Sequence, residues 1–169
     1  MTGCAEPLFR QICPERPSSL LLTGAVGSGK TTMLRDLCRL LGASWRLTLV
    51  DERSEIAAVH HGVPQYDVGL HTDVLDGFPR AEGLLTALRV LTPEVLVCDE
   101  ISTEADAQAI LRIHGSGVPV VASAHGTSLE DLERRPALKQ LLDKGVFRYA
   151  AVLSGREQGK VQTLRRVVP

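Results

Sequence analysis

The stretch SLLLTGAVGSGKTT at residues 19–32 joins an apolar run to a glycine-rich turn that ends in lysine and threonine. Gly24 and Gly29 bracket four residues, with Gly27 between them, so the backbone can turn tightly and direct its N–H groups at phosphate oxygens. A helix beginning after the turn would direct its positive N-terminal end at the same anion. The stretch therefore predicts a strand, a phosphate-binding loop and a helix. The alternative is a strand, turn and helix in which the glycines only close the turn.

The residues of this loop can be assigned to parts of a nucleoside triphosphate and its metal. Lys30 would reach the β and γ phosphates, and the hydroxyl group of Thr31 would bind magnesium. The candidate nucleotide-binding residues are Gly24, Ala25, Val26, Gly27, Ser28, Gly29, Lys30, Thr31 and Thr32.

The rest of the chain alternates short apolar strands with amphipathic helices, which predicts an α/β fold with a mostly parallel sheet flanked by helices. Glycines and prolines at residues 60–79 predict a long loop, and such loops are usually functional or mobile. Strands are predicted at 20–23, 47–50, 95–98 and 118–122, helices at 31–41, 81–91, 103–114 and 128–142 (broken at Pro136), and a C-terminal β-hairpin at 147–153 and 161–168.

Composition favours one domain and excludes several classes of protein. The 169 residues are 44% hydrophobic, and a formal net charge of −1 gives no electrostatic argument for direct binding of nucleic acid. No apolar run approaches the about 20 residues of a transmembrane segment. The scattered cysteines Cys4, Cys13, Cys38 and Cys98 indicate reduced thiols and a cytoplasmic location. Residues 1–18 are expected to be a partly ordered lead-in, and residues 19–169 the domain.

A second chemical signal lies at the end of the strand predicted at 95–98, where Asp99 and Glu100 follow an apolar run. Ligands bind at such strand ends in open α/β sheets. Asp99 would hold magnesium, as the Walker B acid of P-loop NTPases does. Glu100 could orient or deprotonate an attacking water, which favours hydrolysis over transfer to an acceptor. The alternative is a strand that ends in an ordinary polar turn.

Two further signals follow strand ends. Asp51, Glu52, Arg53 and Glu55 follow the second strand, and we expect them to lie beside the first strand and face the phosphates. The alternative is a solvated loop. His125 follows another buried strand and could donate to the γ phosphate, although a lone histidine is more often an ordinary surface or core residue. The other histidines show no ligand spacing, so no zinc site is predicted.

Four further strings carry a resemblance to a known family: VDERSEIA at 50–57, DVGLHTDVLDGFPRAEG at 67–83, TPEVLVCDEI at 92–101 and ASAHGTSLEDLERRPAL at 122–138. Together they closely resemble the ATPase domain of the stage III sporulation protein AA family, which belongs to the secretion ATPase superfamily. The resemblance extends from residue 19 to about residue 153. It implies a RecA-like core that uses ATP and Mg²⁺, and a ring-shaped hexamer. It also implies a cytoplasmic motor held at the inner membrane by a channel or secretion complex.

By the same resemblance, residues 51–55 form an aspartate box and His125 lies in a histidine box. The catalytic candidates are then Glu100, Asp51, Glu52, Glu55 and His125, and the metal candidates are Thr31 and Asp99.

The chain also departs from the family pattern. Members usually carry a substantial N-terminal domain before the P-loop, and we expect that domain to be absent here, where only 18 residues precede Ser19. Ser102 and Thr103 stand where Gly-Arg or Gly-Thr is expected after the Walker B acids, and His71 stands where an arginine is expected. An arginine finger is therefore left open among Arg53, Arg80 and Arg89. Two alternatives to a motor also stay open: a nucleotide-dependent assembly scaffold with little turnover, and a small-molecule P-loop kinase.

Overall fold

The computed structural model describes residues 2–167, which contain a seven-stranded sheet. The strands are β1 (Leu20–Gly24), β2 (Leu47–Asp51), β3 (Thr72–Asp76), β4 (Val95–Glu100), β5 (Val120–His125), β6 (Tyr149–Leu153) and β7 (Val161–Arg166). Their order in the sheet is β3-β2-β4-β5-β1-β6-β7. Six strands are parallel, and only β7 runs antiparallel, against β6. This confirms the predicted mostly parallel α/β fold and its C-terminal hairpin. Val168, at the end of the predicted hairpin, lies outside the described residues.

Helices cover both faces of the sheet because successive strand residues point to opposite faces. The helices are α1 (Glu6–Ile12), α2 (Lys30–Leu41), α3 (Arg80–Val90), α4 (Glu104–Gly115), α5 (Leu129–Glu133) and α6 (Pro136–Asp143). Leu20 and Leu22 pack in a core with α1 and α2, whereas Leu21 packs in a second core with α3 to α6. Among the described helices none is long and apolar enough to cross a bilayer.

Two segments differ from the expectation from sequence. The long loop predicted at 60–79 contains the edge strand β3, which pairs in parallel with β2. Its aspartates, Asp73 and Asp76, are disfavoured in strands but suit an edge, where charge discourages further pairing. Within the lead-in, α1 buries Leu8 and Ile12 in the core. As predicted, the helical region at 128–142 is broken, and Pro136 begins α6, where its missing N–H costs no hydrogen bond.

Candidate functional site

The candidate site lies where β1, β5 and β4, neighbours in that order, reach their carboxyl ends. The P-loop follows β1, and Asp99 and Glu100 end β4. His125 ends the intervening strand β5, in register with Gly24. The parallel sheet therefore brings three of the predicted signals to one edge, which is where open α/β sheets bind ligands.

The lysine of the phosphate-binding loop (the P-loop, residues 24–32) forms hydrogen bonds to the backbone of the same loop. Lys30 Nζ donates to the carbonyl oxygens of Gly24 and Ala25, at 2.9 and 3.0 Å. Gly27 and Gly29 have φ of 76° and 94°, in the left-handed region that favours glycine. Val26, at the tip, is 86% exposed. The loop thus places an ammonium group and the start of α2 around one small space.

Two features of the loop fit an anionic ligand. Burial disfavours the charged form of Lys30 and lowers its pKa, and the charge of Glu100 opposes this effect, so an anion bound at the ammonium group would likewise offset the cost of burial. Ser28 Oγ is buried and has no hydrogen-bond partner within residues 2–167. Because buried polar atoms are normally paired, this hydroxyl is a ready donor to a phosphate oxygen. The residues present therefore fit the phosphate groups that the sequence predicts.

The β6–β7 loop supports the P-loop from outside, a contact that sequence analysis missed. Gly159 N donates to Ser28 O at 2.8 Å. A Cβ atom added to Gly29 would lie 2.7 Å from Gly159 N, closer than real Cβ contacts. Glycine at position 29 thus serves two needs, the left-handed backbone and the close approach of the hairpin loop. The glycine at 159 was a visible signal, but the packing partner of a hairpin loop is not readable from spacing.

An irregularity at the end of β4 places two adjacent carboxylates in one cleft. The register with β5 runs from Cys98 opposite Ala122 directly to Glu100 opposite Ser123, so Asp99 is bulged. In a regular strand, Asp99 and Glu100 would point to opposite faces, and a bulge can re-aim them. Both side chains accordingly line the same cleft.

This cleft, of about 30 Å³, gathers most of the predicted chemistry. Thr31 and Asp99 could hold magnesium there. Within residues 2–167 no group of three or more His, Cys, Asp or Glu could hold a metal, so phosphate and water oxygens would have to supply the remaining ligands, as is common for Mg²⁺. The lining residues are Lys30, Thr31, Leu34, Arg53, Glu55, Ile56, Asp99, Glu100 and Ser123. Ser123 was not predicted, although it lies in the same strand as His125, two residues before the end of β5.

Contrary to expectation, the acidic segment, residues 51–55, does not follow a neighbour of β1. Its strand, β2, is separated from β1 by β4 and β5, because the sheet order does not follow the chain order. Asp51 is buried, and its carboxylate accepts hydrogen bonds from the backbone N–H groups of Glu55, Ile56 and Ala57 at 2.9 to 3.0 Å. Arg35 of α2 donates to the carbonyl oxygens of Glu55 and Ile56. These bonds fold the segment over α2, so that Arg53 and Glu55 reach the cleft.

Arg80 is buried and forms a cluster with three carboxylates. Its guanidinium lies 2.7 Å from Asp99 Oδ1, 2.8 Å from Glu52 Oε2 and 3.1 Å from Asp106 Oδ2. Burial works against the charge of Arg80, but the hydrogen bond to Asp99 and the neighbouring negative charges, those of Asp99 and Asp106 among them, together outweigh it and raise the pKa of the guanidinium. Burial raises the pKa of Asp99, partly offset by Arg80 and reinforced by the charges of Asp51 and Glu52. Asp106 was not predicted, although the T-x-x-D pattern that begins at Thr103 is a capping signal.

The remaining candidates lie outside the cleft lining. His125 is half-buried at the end of β5. Arg89 is exposed on α3 and donates to Leu85 O within its own helix, at 3.3 Å. Of the three arginines considered as arginine fingers, Arg53 is the one that lines the cleft.

Comparison with known proteins identifies relatives of the chain. The profile of the family described as "Sporulation stage III, protein AA" matches residues 1–166. Stage III sporulation protein AA of Bacillus subtilis (strain 168) is 41% identical over 169 residues, which covers 96% of this chain and 55% of that protein. The chain thus spans little more than half the length of that relative.

Solved structures show the fold. The Legionella pneumophila ATPase DotB has a TM-score of 0.66 and 20% identity, covering 87% of this chain and 43% of that one. The VirB11 ATPase of the Brucella suis type IV secretion system, in complex with sulphate, has a TM-score of 0.66 and 18% identity, covering 94% and 50%. The resemblance and the fold predicted from the sequence are both confirmed.

Proposed function

The chain belongs to the family of sporulation stage III protein AA, and on that premise we propose that it is an ATP-binding and ATP-hydrolysing motor domain that depends on Mg²⁺. One observation carries the proposal. A single cleft is lined by the P-loop residues Lys30 and Thr31 and by the strand-end acids Asp99 and Glu100. This set combines phosphate binding, metal binding and a carboxylate for water.

Binding of the triphosphate rests on the P-loop. Its backbone N–H groups, the hydroxyl group of Ser28 and the ammonium group of Lys30 hold the phosphates. Lys30 Nζ exchanges its two carbonyl partners for phosphate oxygens. Thr31 and Asp99 hold the metal ion, which supplies positive charge beside the phosphates when bound.

Glu100 orients the attacking water and accepts its proton. It lies at the end of β4, is half-buried, and interacts electrostatically with Lys30. Across the cleft, the exposed side chain of Arg53 stabilises the charge that develops on the transferred phosphoryl group. Asp51 shapes the segment that carries Arg53 and Glu55. Together with Glu52 and His125, that segment senses the γ phosphate.

The proposal extends to assembly and partners, with family membership as its support. We propose a hexameric ring at the cytoplasmic face of the inner membrane, docked on channel or secretion-complex proteins, without direct contact to nucleic acid. The support is family membership and the fold shared with the VirB11 ATPase of a secretion system. Light scattering with Mg²⁺ and a non-hydrolysable ATP analogue tests the ring. For a hexamer, the measured mass should be six times the chain mass of 18.3 kDa. An unchanged monomer mass would contradict it.

Substitution of Lys30 tests whether the cleft binds nucleotide. Lys30→Ala removes the ammonium group and should weaken binding of a fluorescent ATP analogue at least about 100-fold, since charge-assisted contacts to phosphate are strong. The matched control is Lys144→Ala, which removes an exposed lysine after α6 and should leave the affinity unchanged. Equal affinity of the parent protein and Lys30→Ala would exclude the P-loop as the nucleotide site.

A further inference from the structure

Arg80 occupies a position that its charge alone would not favour. It is the first residue of α3, where the helix dipole repels a cation, and it is 4% exposed. Three carboxylates compensate for this, and each bonds a different nitrogen of the guanidinium: Nε bonds Asp99, Nη1 bonds Asp106 and Nη2 bonds Glu52. The planar fork of arginine suits such an arrangement, and lysine cannot reproduce it.

Asp106 fixes the guanidinium from behind. Its Oδ2 accepts from Ser102 N at 3.1 Å and from Thr103 N at 3.0 Å, as well as from Arg80. Thr103 Oγ1 in turn accepts from Asp106 N, which completes the capping box of α4. Asp106 is therefore held by a helix start, and it cannot turn away from Arg80 without breaking that cap.

Arg80 in turn fixes one oxygen of Asp99. The bond from Nε to Oδ1 is 2.7 Å, and within residues 2–167 no hydrogen bond occupies Oδ2. Asp99 is the bulged residue of β4, so the regular sheet ladder does not set its orientation. The guanidinium supplies that orientation instead.

From these contacts, and resting on the proposed function, we propose that Arg80 is a positioning residue that orients Asp99 for magnesium and connects it to Glu52. Arg80 acts within its own chain and does not reach across a subunit boundary, because three nitrogens of its guanidinium are already bonded to carboxylates of the same chain. Glu52, with a side chain 38% exposed, is the member of the cluster that joins the acidic segment to the metal site.

The magnesium dependence of nucleotide binding distinguishes a positioning role of Arg80 from the role of an arginine finger. Magnesium demands near-ideal geometry, and residues that orient a ligand typically contribute about 10–100-fold to metal affinity. Binding of a fluorescent ADP analogue is titrated with Mg²⁺ to find the half-saturating concentration. Arg80→Lys should raise that concentration about 10–100-fold, while the affinity for the analogue in EDTA, which depends on the P-loop, stays at the parent value.

The control is Arg39→Lys. Arg39 Nε also bonds a buried aspartate, Asp36, at 2.8 Å, but on α2 and outside the cleft lining, so the magnesium titration should not change. If Arg80→Lys does not fold by circular dichroism, Asp106→Asn makes the same test, because it removes the charge behind Arg80 and should shift the titration in the same direction.

Three results would overturn the inference. An unchanged magnesium titration in folded Arg80→Lys and Asp106→Asn would refute the positioning role. Slower ATP turnover at an unchanged magnesium requirement would make Arg80 an arginine finger instead. A parent protein that binds no nucleotide at all would refute the proposed function and the inference together, which distinguishes the two failures.

Discussion

Asp36 shows how one buried carboxylate ties the N-terminal segment to the nucleotide-binding helix. Its Oδ2 accepts from Ala5 N at 2.8 Å, just before α1, and its Oδ1 accepts from Arg39 Nε at 2.8 Å. Burial works to raise the pKa of Asp36, but the backbone N–H groups of Ala5 and Gly3, together with Arg39, outweigh it and hold the pKa below its ordinary 3.8. The charged form of Asp36 therefore stabilises the folded state.

Asp36→Asn should lower the free energy of unfolding by about 1.5–3 kcal/mol at pH 7, the range for hydrogen bonds to a charged group. Because the pKa is depressed on folding, the contribution is complete above the unfolded value of about 3.8 and is lost as pH falls through the folded pKa. Urea unfolding at pH 7 and at pH 3 measures this. The difference in the free energy of unfolding between the parent protein and Asp36→Asn should be smaller at pH 3 than at pH 7. A larger difference at pH 3 would contradict a depressed pKa of Asp36.

Residue identities in the cleft were predictable where the signal is local. Lys30, Thr31, Asp99 and Glu100 lie in short motifs, and all four line the cleft. The Arg80 cluster was not predictable, because its carboxylates come from three separate parts of the chain. Likewise, an exposed acidic segment looks the same in sequence whether Asp51 faces phosphate or, as the structure shows, accepts three backbone N–H groups.

At the scale of elements, the β6–β7 hairpin and the P-loop are mechanically joined through Gly29 and Gly159. The hydrogen bond from Gly159 N to Ser28 O links the hairpin to the loop that would hold phosphate. A change in the P-loop backbone on nucleotide binding would therefore move or break this hydrogen bond and so affect the hairpin loop.

Gly29→Ala should lower both stability and nucleotide affinity. A Cβ atom at position 29 would meet Gly159 N at 2.7 Å, and φ of +94° adds strain that in the left-handed region is roughly 1–2 kcal/mol for a residue other than glycine. Thermal melting and titration with a fluorescent nucleotide measure the two effects. Gly155→Ala, in the same hairpin loop but with open space around it, is the matched control and should behave as the parent protein. Equal behaviour of both variants would show that the close contact does not matter.

The strands and helices with strong periodic patterns were predictable, and the weak ones were not. The apolar run of β1 and the amphipathic face of α2 agree with the structure to within one residue at each boundary. The edge strand β3 was missed because none of its residues is fully buried and because it carries two aspartates, so it lacks the apolar pattern of an inner strand.

For the whole molecule, sheet order decides which motifs meet. The chain visits β1, β2, β3 and then β4, but the sheet places β5 between β1 and β4. Parallel α/β topology predicted that strand ends share an edge, so the meeting of P-loop and strand-end acids was foreseeable. The distance of β2 from β1 was not, because local periodicity carries no information on strand order.

The cleft is proposed to hydrolyse ATP, with Glu100 orienting the attacking water and accepting its proton. The most direct test is steady-state phosphate release from ATP and Mg²⁺ by the parent protein and by Glu100→Gln, at protein concentrations where light scattering shows assembly. Since positioned acid–base groups contribute about 100-fold or more, the parent protein should release phosphate and Glu100→Gln should be slower by at least that factor while still binding nucleotide. Equal rates for the two proteins would contradict the role of Glu100, and nucleotide binding without release by the parent protein would favour an assembly scaffold.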